Sequence, residues 1–406
     1  MKEKIVYATI IGGGAAGMIC ACTAAEKLKD NKILILEKAD RIGKKLLVTG
    51  NGKCNLSNLN AASNNYHSES CEELINILYE KYSPRCIINF FEKNGLITYS
   101  DSEGRVYPIS KYAGSVLDVL RHALNKNSVE IECKCNINKI NKTKNGFEIN
   151  YNDTIVKTKK LIIATGGKFD YKGAESGSCD IINMLDLRRT KLSSSLSPVY
   201  VKSDIIHLLK GIRMSAKVTL KKDGKEIKSE YGEVQFTNNA LSGICIFNLS
   251  RYANKIDDCI ISVQFLPDMS YDEIFSMIKN RINIFSDGNI SDIFIGMFRK
   301  NLAKAIINSC KINENKNVAA LTENEIKILA KKLYSWDFKT TVKSDFKNAQ
   351  VTAGGVSLDE IDINTFESKK YSGLYVIGEA LDIDADCGGY NLQFAFASGM
   401  KVGENL

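Results

Sequence analysis

The chain has 406 residues, of which 44% are hydrophobic and 25% are charged, so it can build a substantial core in two or three domains. Its net charge of +8 comes without a long basic block, which suits a solvated surface better than a nucleic-acid partner, although an anionic ligand or RNA also fits this modest excess. No apolar run approaches the roughly 18 residues of a membrane span and no signal peptide precedes the first motif, so we expect a cytoplasmic protein without a membrane partner.

The N-terminal segment has the pattern of a βαβ unit. Residues 4–11 are apolar and rich in β-branched side chains, residues 15–29 carry helix formers at helical spacing, and residues 32–37 form a second apolar run. Short buried strands joined by a helix indicate a parallel sheet that is covered on both faces.

The remaining elements predict an α/β domain that is interrupted by insertions. Helices are predicted at 71–81, 84–95 and 113–126, strands at about 129–151 and 160–167, β-segments over 197–265 with a type I′ turn at Asp223-Gly224, helices at 271–282, 293–307 and 324–334, and a last strand and helix within 373–403. We therefore predict an α/β fold with a discontinuous Rossmann-like domain, 1–195 and 340–406. A β-rich insert, 196–268, and a helical insert, 269–339, interrupt it.

The cysteines and histidines do not form a metal-binding pattern. The closest cysteine pairs are Cys20 with Cys22 and Cys133 with Cys135, and the sequence has no C-x-x-C motif. We therefore expect reduced thiols and no metal site.

A glycine-rich turn links the first strand to the first helix. Gly12-Gly13-Gly14-Ala15-Ala16-Gly17 fits G-x-G-x-x-G, and Glu37 ends the next strand. The first glycine permits a tight turn, the second lets a pyrophosphate approach the backbone, and the third lets the helix pack on the strand, while the glutamate can accept ribose hydroxyls. The unit is predicted to bind an adenine dinucleotide.

The C-terminal segment favours FAD over NAD as that dinucleotide. Glu379 and Asp382 follow a predicted strand, and Gly388 and Gly389 precede the last helix. An NAD domain needs no such second strand end. FAD needs groups for its ribityl chain, and amides at a helix start can stabilise the N1–C2=O edge of a reduced flavin.

Five motifs together resemble the family of aminoacetone-oxidase and BaiN-type FAD-binding flavoproteins, which belong to the two-dinucleotide-binding-domain class. These motifs are "IIGGGAAG", "GKKLLVTGNGKCNLSN", "EGRVYPIS", "VTAGGVSLDEI" and "GLYVIGEALDIDADCGGYNLQFAFASG". The resemblance spans nearly the whole chain and implies FAD and a flavin-wrapping loop around residues 46–58, where Lys53 stands at a position at which the family commonly has arginine. It leaves the substrate open, because reactions proposed within the family range from oxidation of amino ketones to reduction of unsaturated bile-acid intermediates.

The residues and the resemblance together define the candidate site. The candidate cofactor-binding residues are Gly12, Gly14, Ala15, Ala16, Gly17, Glu37, Lys38, Lys44, Lys45, Thr49, Gly50, Gly52, Cys54, Asn55, Ile137, Thr165, Gly166, Gly378, Glu379, Asp382, Gly389, Tyr390, Asn391 and Leu392. Arg105 and Tyr107 are candidates for the substrate route, although Arg105 equally fits a surface hairpin. Cys54 and Cys387 are interpreted as packing residues, since a redox pair needs closer spacing. No catalytic acid or base is identified.

These observations predict an FAD-dependent oxidoreductase that transfers hydride between the flavin and a small or steroid-like carbonyl, enone or amine substrate. No second G-x-G-x-x-G motif exists, so NAD(P)H as electron donor would meet the flavin directly in an open cleft. Two alternatives remain: a flavin-dependent RNA-modifying enzyme and a non-catalytic FAD-binding scaffold. The sequence does not determine the substrate, the direction of electron flow or the oligomeric state.

Overall fold

The structure of the protein is a computed structural model, which describes residues 2–29, 31–68, 71–168, 170–171, 174–175, 178–341 and 345–406. The chain divides into two compact units, Met1–Ser193 with Phe346–Leu406, and Ser194–Asp345. Below, these are called the first and the second unit.

The secondary structure alternates strands and helices through most of the chain. The strands are β1 Lys2–Ile11, β2 Ile33–Leu36, β3 Ser57–Asn58, β4 Tyr66–His67, β5 Thr98–Ser100, β6 Arg105–Pro108, β7 Glu130–Glu132, β8 Ile137–Thr143, β9 Gly146–Tyr151, β10 Thr154–Ile163, β11 Asp170–Tyr171, β12 Ala174–Glu175, β13 Ser193–Ser195, β14 Val199–Lys202, β15 Arg213–Lys222, β16 Lys225–Phe236, β17 Ala240–Ser242, β18 Ile260–Gln264, β19 Trp336–Thr340, β20 Val351–Ala353, β21 Leu374–Val376 and β22 Asp384–Ala385.

The α-helices are α1 Ala15–Lys27, α2 Cys71–Lys81, α3 Pro84–Lys93, α4 Ala113–Lys126, α5 Ser178–Met184, α6 Ile244–Ala253, α7 Tyr271–Ile284, α8 Lys300–Ser309, α9 Glu323–Tyr334 and α10 Tyr390–Asn405. Short 3-10 helices lie at Leu46–Gly52, Ser63–Asn65, Ile206–Leu209, Ile290–Phe294, Val318–Ala320, Leu358–Glu360 and Gly378–Ala380. Within the described residues, no helix has both the length and the apolar character that a membrane crossing requires.

A mostly parallel sheet organises the first unit. Its strand order is β7-β2-β1-β10-β9-β8, and β21 pairs with the end of β10. The strands β7, β2, β1, β10 and β21 run parallel, while β8 and β9 add an antiparallel hairpin. All four residues of β2 are buried, as expected for a strand that is covered on both faces. The predicted βαβ unit is confirmed.

Helix α1 packs on the sheet and along α10, which brings the two chain ends together. Residues 16–24 of α1 are buried without interruption, and α1 packs along α10. At the C-terminal end of this pair, Tyr7 Oη donates to the carbonyl oxygen of Leu406 at 2.8 Å. This contact ties the C-terminal end of α10 to strand β1.

The second unit contains a closed antiparallel barrel with the strand order β14-β17-β16-β15-β18-β19. The predicted two-residue hairpin is confirmed, because Lys222 pairs with Lys225 and the intervening Asp223 and Gly224 have φ values of 50° and 77°. Both central residues of a type I′ turn require positive φ.

Two details of the second unit differ from the predicted elements. The helix predicted at 293–307 starts only at Lys300, because Gly296 has a φ of 76° and interrupts the helical path after the 3-10 helix that ends at Phe294. The strand Trp336–Thr340 begins within the insert predicted as helical, 269–339, yet it pairs with β14 and β18 and closes the barrel. One hydrophobic core joins the barrel to helices α7, α8 and α9. The finer division into 196–268 and 269–339 therefore stays a prediction.

Candidate functional site

A cleft lies at the edge of the first unit's sheet where parallel strands end. Strands β1, β2, β10 and β21 end at residues 11, 36, 163 and 376, and the segments that follow each of them line the cleft. Parallel strands present their carboxyl ends at one edge, and open α/β sheets bind ligands there. Four segments that are far apart in sequence thus converge on one cleft.

The glycine turn forms one wall of this cleft. Gly12 has a φ of 110°, and a Cβ atom there would lie 2.3 Å from the carbonyl oxygen of Ala164, the residue that follows strand β10, so only glycine fits. A Cβ atom on Gly14 would meet no atom within 4 Å, so the backbone is open to the cleft. The first amide groups of α1 have no acceptor within the helix, so this turn is suited to an anionic group.

Glu37 at the end of β2 is held by two backbone amides. Gly13 N donates to Glu37 Oε2 at 2.7 Å, and Ala39 N donates to Glu37 Oε1 at 2.8 Å. The carboxylate therefore has a fixed orientation beside the glycine turn, where its remaining lone pairs can accept further hydrogen bonds.

The cations of the cleft fall into two groups. Lys44 Nζ pairs with Asp40 at 2.5 Å and Lys45 Nζ pairs with Glu379 Oε2 at 2.5 Å, so their charges are partly neutralised. Glu379 also accepts from Thr352 N at 2.9 Å. Two further cations that line the cleft, Lys38 and Arg41, form no ion pair with any residue that the structure describes.

The N-terminal end of α10 forms the opposite wall. Gly389 has a φ of 98°, and a Cβ atom there would lie 2.4 Å from the carbonyl oxygen of Ser57. The first intrahelical bond runs from Gln393 N to Gly389 O, so the amides of Tyr390, Asn391 and Leu392 have no acceptor within the helix. Asn391 and Leu392 line the cleft.

The Asn391 side chain fixes the loop before this helix. Its Oδ1 atom accepts from Ala385 N at 3.0 Å, and its Nδ2 atom donates to the carbonyl oxygen of Ala385 at 2.9 Å. The first-turn amides of α10, which are predicted to contact the flavin, therefore lie beside a loop that the Asn391 side chain holds in place.

The residues of the cleft fit FAD. The cleft is continuous from the glycine turn to the start of α10, and Thr165, which lines it, has a buried hydroxyl that no described protein atom satisfies. A buried hydroxyl without a partner costs free energy unless a ligand satisfies it. A dinucleotide with a polar middle section supplies such a partner.

The structure brings most of the predicted cofactor-binding residues together. Those that line the cleft are Gly12, Gly14, Ala15, Ala16, Glu37, Lys38, Lys44, Lys45, Thr49, Ile137, Thr165, Gly166, Glu379, Asn391 and Leu392. Those outside its lining are Gly17, Gly50, Gly52, Cys54, Asn55, Gly378, Asp382, Gly389 and Tyr390. The role of each residue toward FAD stays a prediction.

The two residues predicted for the substrate route lie outside this lining. Arg105 on β6 donates from Nε to Asp101 Oδ2 and from Nη2 to Glu103 Oε1, both at 2.8 Å, so two carboxylates neutralise its charge. This geometry favours the surface-hairpin alternative for Arg105. Tyr107 stacks on Tyr99 across the same hairpin.

The two cysteines of the predicted motifs are protonated at neutral pH. Burial raises the pKa of the Cys54 thiol to about 12 and that of the Cys387 thiol to about 11. A thiol with so high a pKa is a poor nucleophile, which agrees with a packing role.

Several residues of the cleft were not predicted. The clearest is Tyr66 on β4, which lines the cleft although its surrounding sequence carries no motif. Arg41, Asn136 and Gln350 also line it. Asn136 adjoins the predicted Ile137, and Arg41 lies between β2 and the lysine pair Lys44 and Lys45, so only their neighbours in sequence could have indicated them.

Comparisons with known proteins agree with this site. A family model described as "HI0933-like protein Rossmann domain" matches residues 6–405. The chain is 31% identical to the 3-dehydro-bile acid delta(4,6)-reductase of Clostridium scindens, and the alignment covers 97% of each chain. It is 25% identical to the ribosomal RNA dihydrouridine synthase of Escherichia coli, with 98% of this chain and 97% of that protein aligned.

A second ribosomal RNA dihydrouridine synthase, from Haemophilus influenzae, is 27% identical over 96% of this chain and 95% of its own length. A solved structure of 3-ketosteroid-delta4-(5alpha)-dehydrogenase from Rhodococcus jostii superposes with a TM-score of 0.51 at 12% identity, covering 100% of this chain and 96% of that chain. At that identity the superposition shows a shared fold alone. The family match and the bile-acid reductase alignment confirm the family that the motifs resemble, with FAD as the cofactor, and the superposition agrees with the α/β fold class.

Proposed function

We propose a reaction for this chain. The chain belongs to the HI0933-like family of Rossmann-domain proteins and is an FAD-dependent oxidoreductase, and the proposal starts from these two facts. The proposed reaction is the reduction of a carbon–carbon double bond conjugated with a carbonyl group, in a small or steroid-like molecule, with NAD(P)H as electron donor. One observation carries this proposal: the names of the aligned relatives, a delta(4,6)-reductase and two dihydrouridine synthases, all describe the addition of two hydrogens to a double bond.

The chemistry requires a hydride, a proton and an electron-poor double bond. The carbonyl draws electrons from the double bond, so a hydride adds to the carbon farther from the carbonyl and a proton adds to the nearer one. FAD supplies the hydride-carrying ring when it is bound, and NAD(P)H is oxidised to NAD(P)⁺ in the balanced reaction. A cytoplasmic location, where NAD(P)H is abundant, is part of the proposal.

The chain's own groups support binding and electrostatic stabilisation. The open glycine turn with Lys38 and Arg41 suits a diphosphate, and Glu37 suits a ribose. The first-turn amides of α10 suit the negative charge of a reduced flavin ring. Because these groups sit on strand and helix ends, they are held in place before any ligand binds.

Anaerobic stopped-flow absorbance of the FAD-loaded protein tests the proposal. We expect NADPH or NADH to bleach the flavin band, and we expect a conjugated steroid enone or cyclohexenone to restore it. A saturated ketone of the same skeleton is the matched control and leaves the flavin reduced. Reoxidation by oxygen alone, with no acceleration by any enone, would reject the proposed substrate class, and flavin reduction by an amine would favour an amine as the substrate instead.

A second candidate is the same chemistry on a uridine base in RNA. Two features favour it: the two ribosomal RNA dihydrouridine synthases align over nearly their whole length, and the second unit has 22 basic and 17 acidic residues, hence +5 of the total charge of +8. If RNA is the substrate, binding should weaken steeply with salt, because phosphate contacts release counterions. In the stopped-flow assay, reoxidation by a uridine-containing ribosomal RNA fragment, with no response to steroid enones, would favour this candidate.

A further inference from the structure

A buried hydrogen-bond chain reaches the N-terminal end of α10 from the side of the protein interior. Tyr66 Oη donates to the carbonyl oxygen of Tyr390 at 2.9 Å, and the hydroxyls of Tyr66 and Tyr79 are hydrogen-bonded to each other. A hydroxyl has one proton, and a carbonyl can only accept. Tyr66 therefore gives its proton to Tyr390, and Tyr79 gives its proton to Tyr66.

The direction of these hydrogen bonds matters because they end at a peptide group of α10. The carbonyl of Tyr390 and the amide N–H of Asn391 belong to one peptide unit. A hydrogen bond to the carbonyl polarises the whole unit and makes its N–H a stronger donor. That N–H is one of the first-turn amides without an intrahelical acceptor, and Asn391 lines the cleft.

The surroundings of Tyr66 keep this hydrogen bond in place. Its side chain is 4% exposed, and its ring contacts Tyr79, Tyr390 and Phe394. Burial raises the pKa of Tyr66 well above its ordinary value, so the hydroxyl keeps its proton and remains a donor at all physiological pH values. In a medium shielded from water, such a bond polarises its neighbours more strongly than at the surface.

We propose that Tyr66, supported by Tyr79, is a positioning residue that raises the reduction potential of bound FAD by polarising the Tyr390–Asn391 peptide group. The inference rests on the proposed placement of the flavin ring at the start of α10. Neither tyrosine belongs to the glycine turn or to the motifs at the chain ends. Their contribution comes from contacts between segments that are more than 300 residues apart.

The test measures the midpoint potential of bound FAD in Tyr66→Phe, by equilibration with a reference dye and without substrate. The variant keeps the aromatic ring that lines the cleft and loses only the hydroxyl. We expect a lower potential, equivalent to about a two- to fourfold loss of preference for reduced flavin. For a two-electron couple this corresponds to about 9–18 mV.

Two further variants make the result decisive. Tyr79→Phe removes the hydroxyl that donates to Tyr66 and leaves the Tyr66 bond to the Tyr390 carbonyl in place, so it should lower the potential by a smaller amount. Tyr82→Phe is the matched control, because Tyr82 is equally buried but donates to Glu404 near the other end of α10, and it should leave the potential unchanged.

The outcomes separate this inference from the proposed function. Equal potentials in wild type, Tyr66→Phe and Tyr79→Phe would overturn it, as would the same shift in Tyr82→Phe. If Tyr66→Phe does not retain FAD, Tyr79→Phe alone decides, and an unchanged potential there overturns the inference. Since no substrate is present, failure to reduce enones would count against the proposed function and not against this result.

Discussion

Replacing Glu37 by glutamine is expected to weaken FAD binding and to destabilise the flavin-free protein. The change in the Kd of FAD and the change in unfolding free energy can be measured separately. Two backbone amides donate to the Glu37 carboxylate, Gly13 N at 2.7 Å and Ala39 N at 2.8 Å. Hydrogen bonds to a charged group contribute about 1.5–3 kcal/mol each. Glutamine keeps one acceptor oxygen and turns an NH₂ group toward the other amide. The flavin-free protein should therefore lose about 1.5–3 kcal/mol of unfolding free energy.

The loss of FAD affinity has a similar size if the same carboxylate accepts a ribose hydroxyl. One lost charged acceptor corresponds to about 1.4–2.8 kcal/mol, which is a rise of about 10- to 100-fold in the Kd of FAD. Fluorescence titration of FAD into flavin-free protein measures the Kd, and urea unfolding of the same sample measures stability.

Glu132→Gln is the matched control for this experiment. Glu132 accepts from Lys4 and, at 2.8 Å, from Tyr151 Oη, but it does not line the cleft. This variant should lose stability with no change in the Kd of FAD. An unchanged Kd in Glu37→Gln, together with the expected loss of stability, would show that Glu37 only supports the glycine turn and would refute the ribose assignment.

Three more predictions concern stability and reactivity. Gly389→Ala should lower the unfolding free energy by about 2–4 kcal/mol. The left-handed backbone disfavours a side chain there, and the Cβ atom would lie 2.4 Å from the carbonyl oxygen of Ser57. A loss of less than about 1 kcal/mol in urea unfolding would contradict this. Lys316 lowers the pKa of Glu325 below its ordinary value of 4.5, so the stabilisation is present above pH 4.5 and is lost as the pH falls through the lower folded-state pKa. The stability difference between wild type and Glu325→Gln should therefore shrink in acid, and a difference that is constant down to strongly acidic pH would argue against it. Partial burial raises the pKa of Cys387 to about 11, so its alkylation, followed by peptide mass spectrometry, should be slow at neutral pH and accelerate in alkali; rapid labelling at neutral pH would contradict the raised pKa.

The elements that could be predicted from the sequence are those that local patterns specify. The apolar run of β1, the glycine turn, helix α1 and strand β2 follow one another within 35 residues, from Lys2 to Leu36, so their spacing alone predicts the βαβ unit. The hairpin at Asp223-Gly224 is likewise specified by two adjacent residues that tolerate positive φ. The same holds for the site: the glycine turn and the start of α10 were predicted, since each is a short motif with its own chemistry.

The features that were missed depend on which distant residues meet. Nothing in the sequence near Lys45 indicates that it forms an ion pair with Glu379, which lies 334 positions away. Nor does anything near Tyr66 indicate that its hydroxyl reaches the Tyr390 carbonyl, 324 positions away. The strand Trp336–Thr340 follows a helix directly, and only its pairing with β14 and β18 makes it part of the barrel.

The sequence by itself therefore determined the nucleotide-binding unit, the motifs at both chain ends that favour FAD, and the glycine and Asp223-Gly224 turns. Helix periodicity, strand alternation and positive φ are properties of neighbouring residues. The tertiary structure alone decided which charges are neutralised, which hydroxyls have partners and how the barrel closes. Ion pairs such as Lys45 with Glu379 and hydrogen bonds such as that of Tyr66 act over a few ångströms in space, and the distance between two residues along the chain says little about that separation.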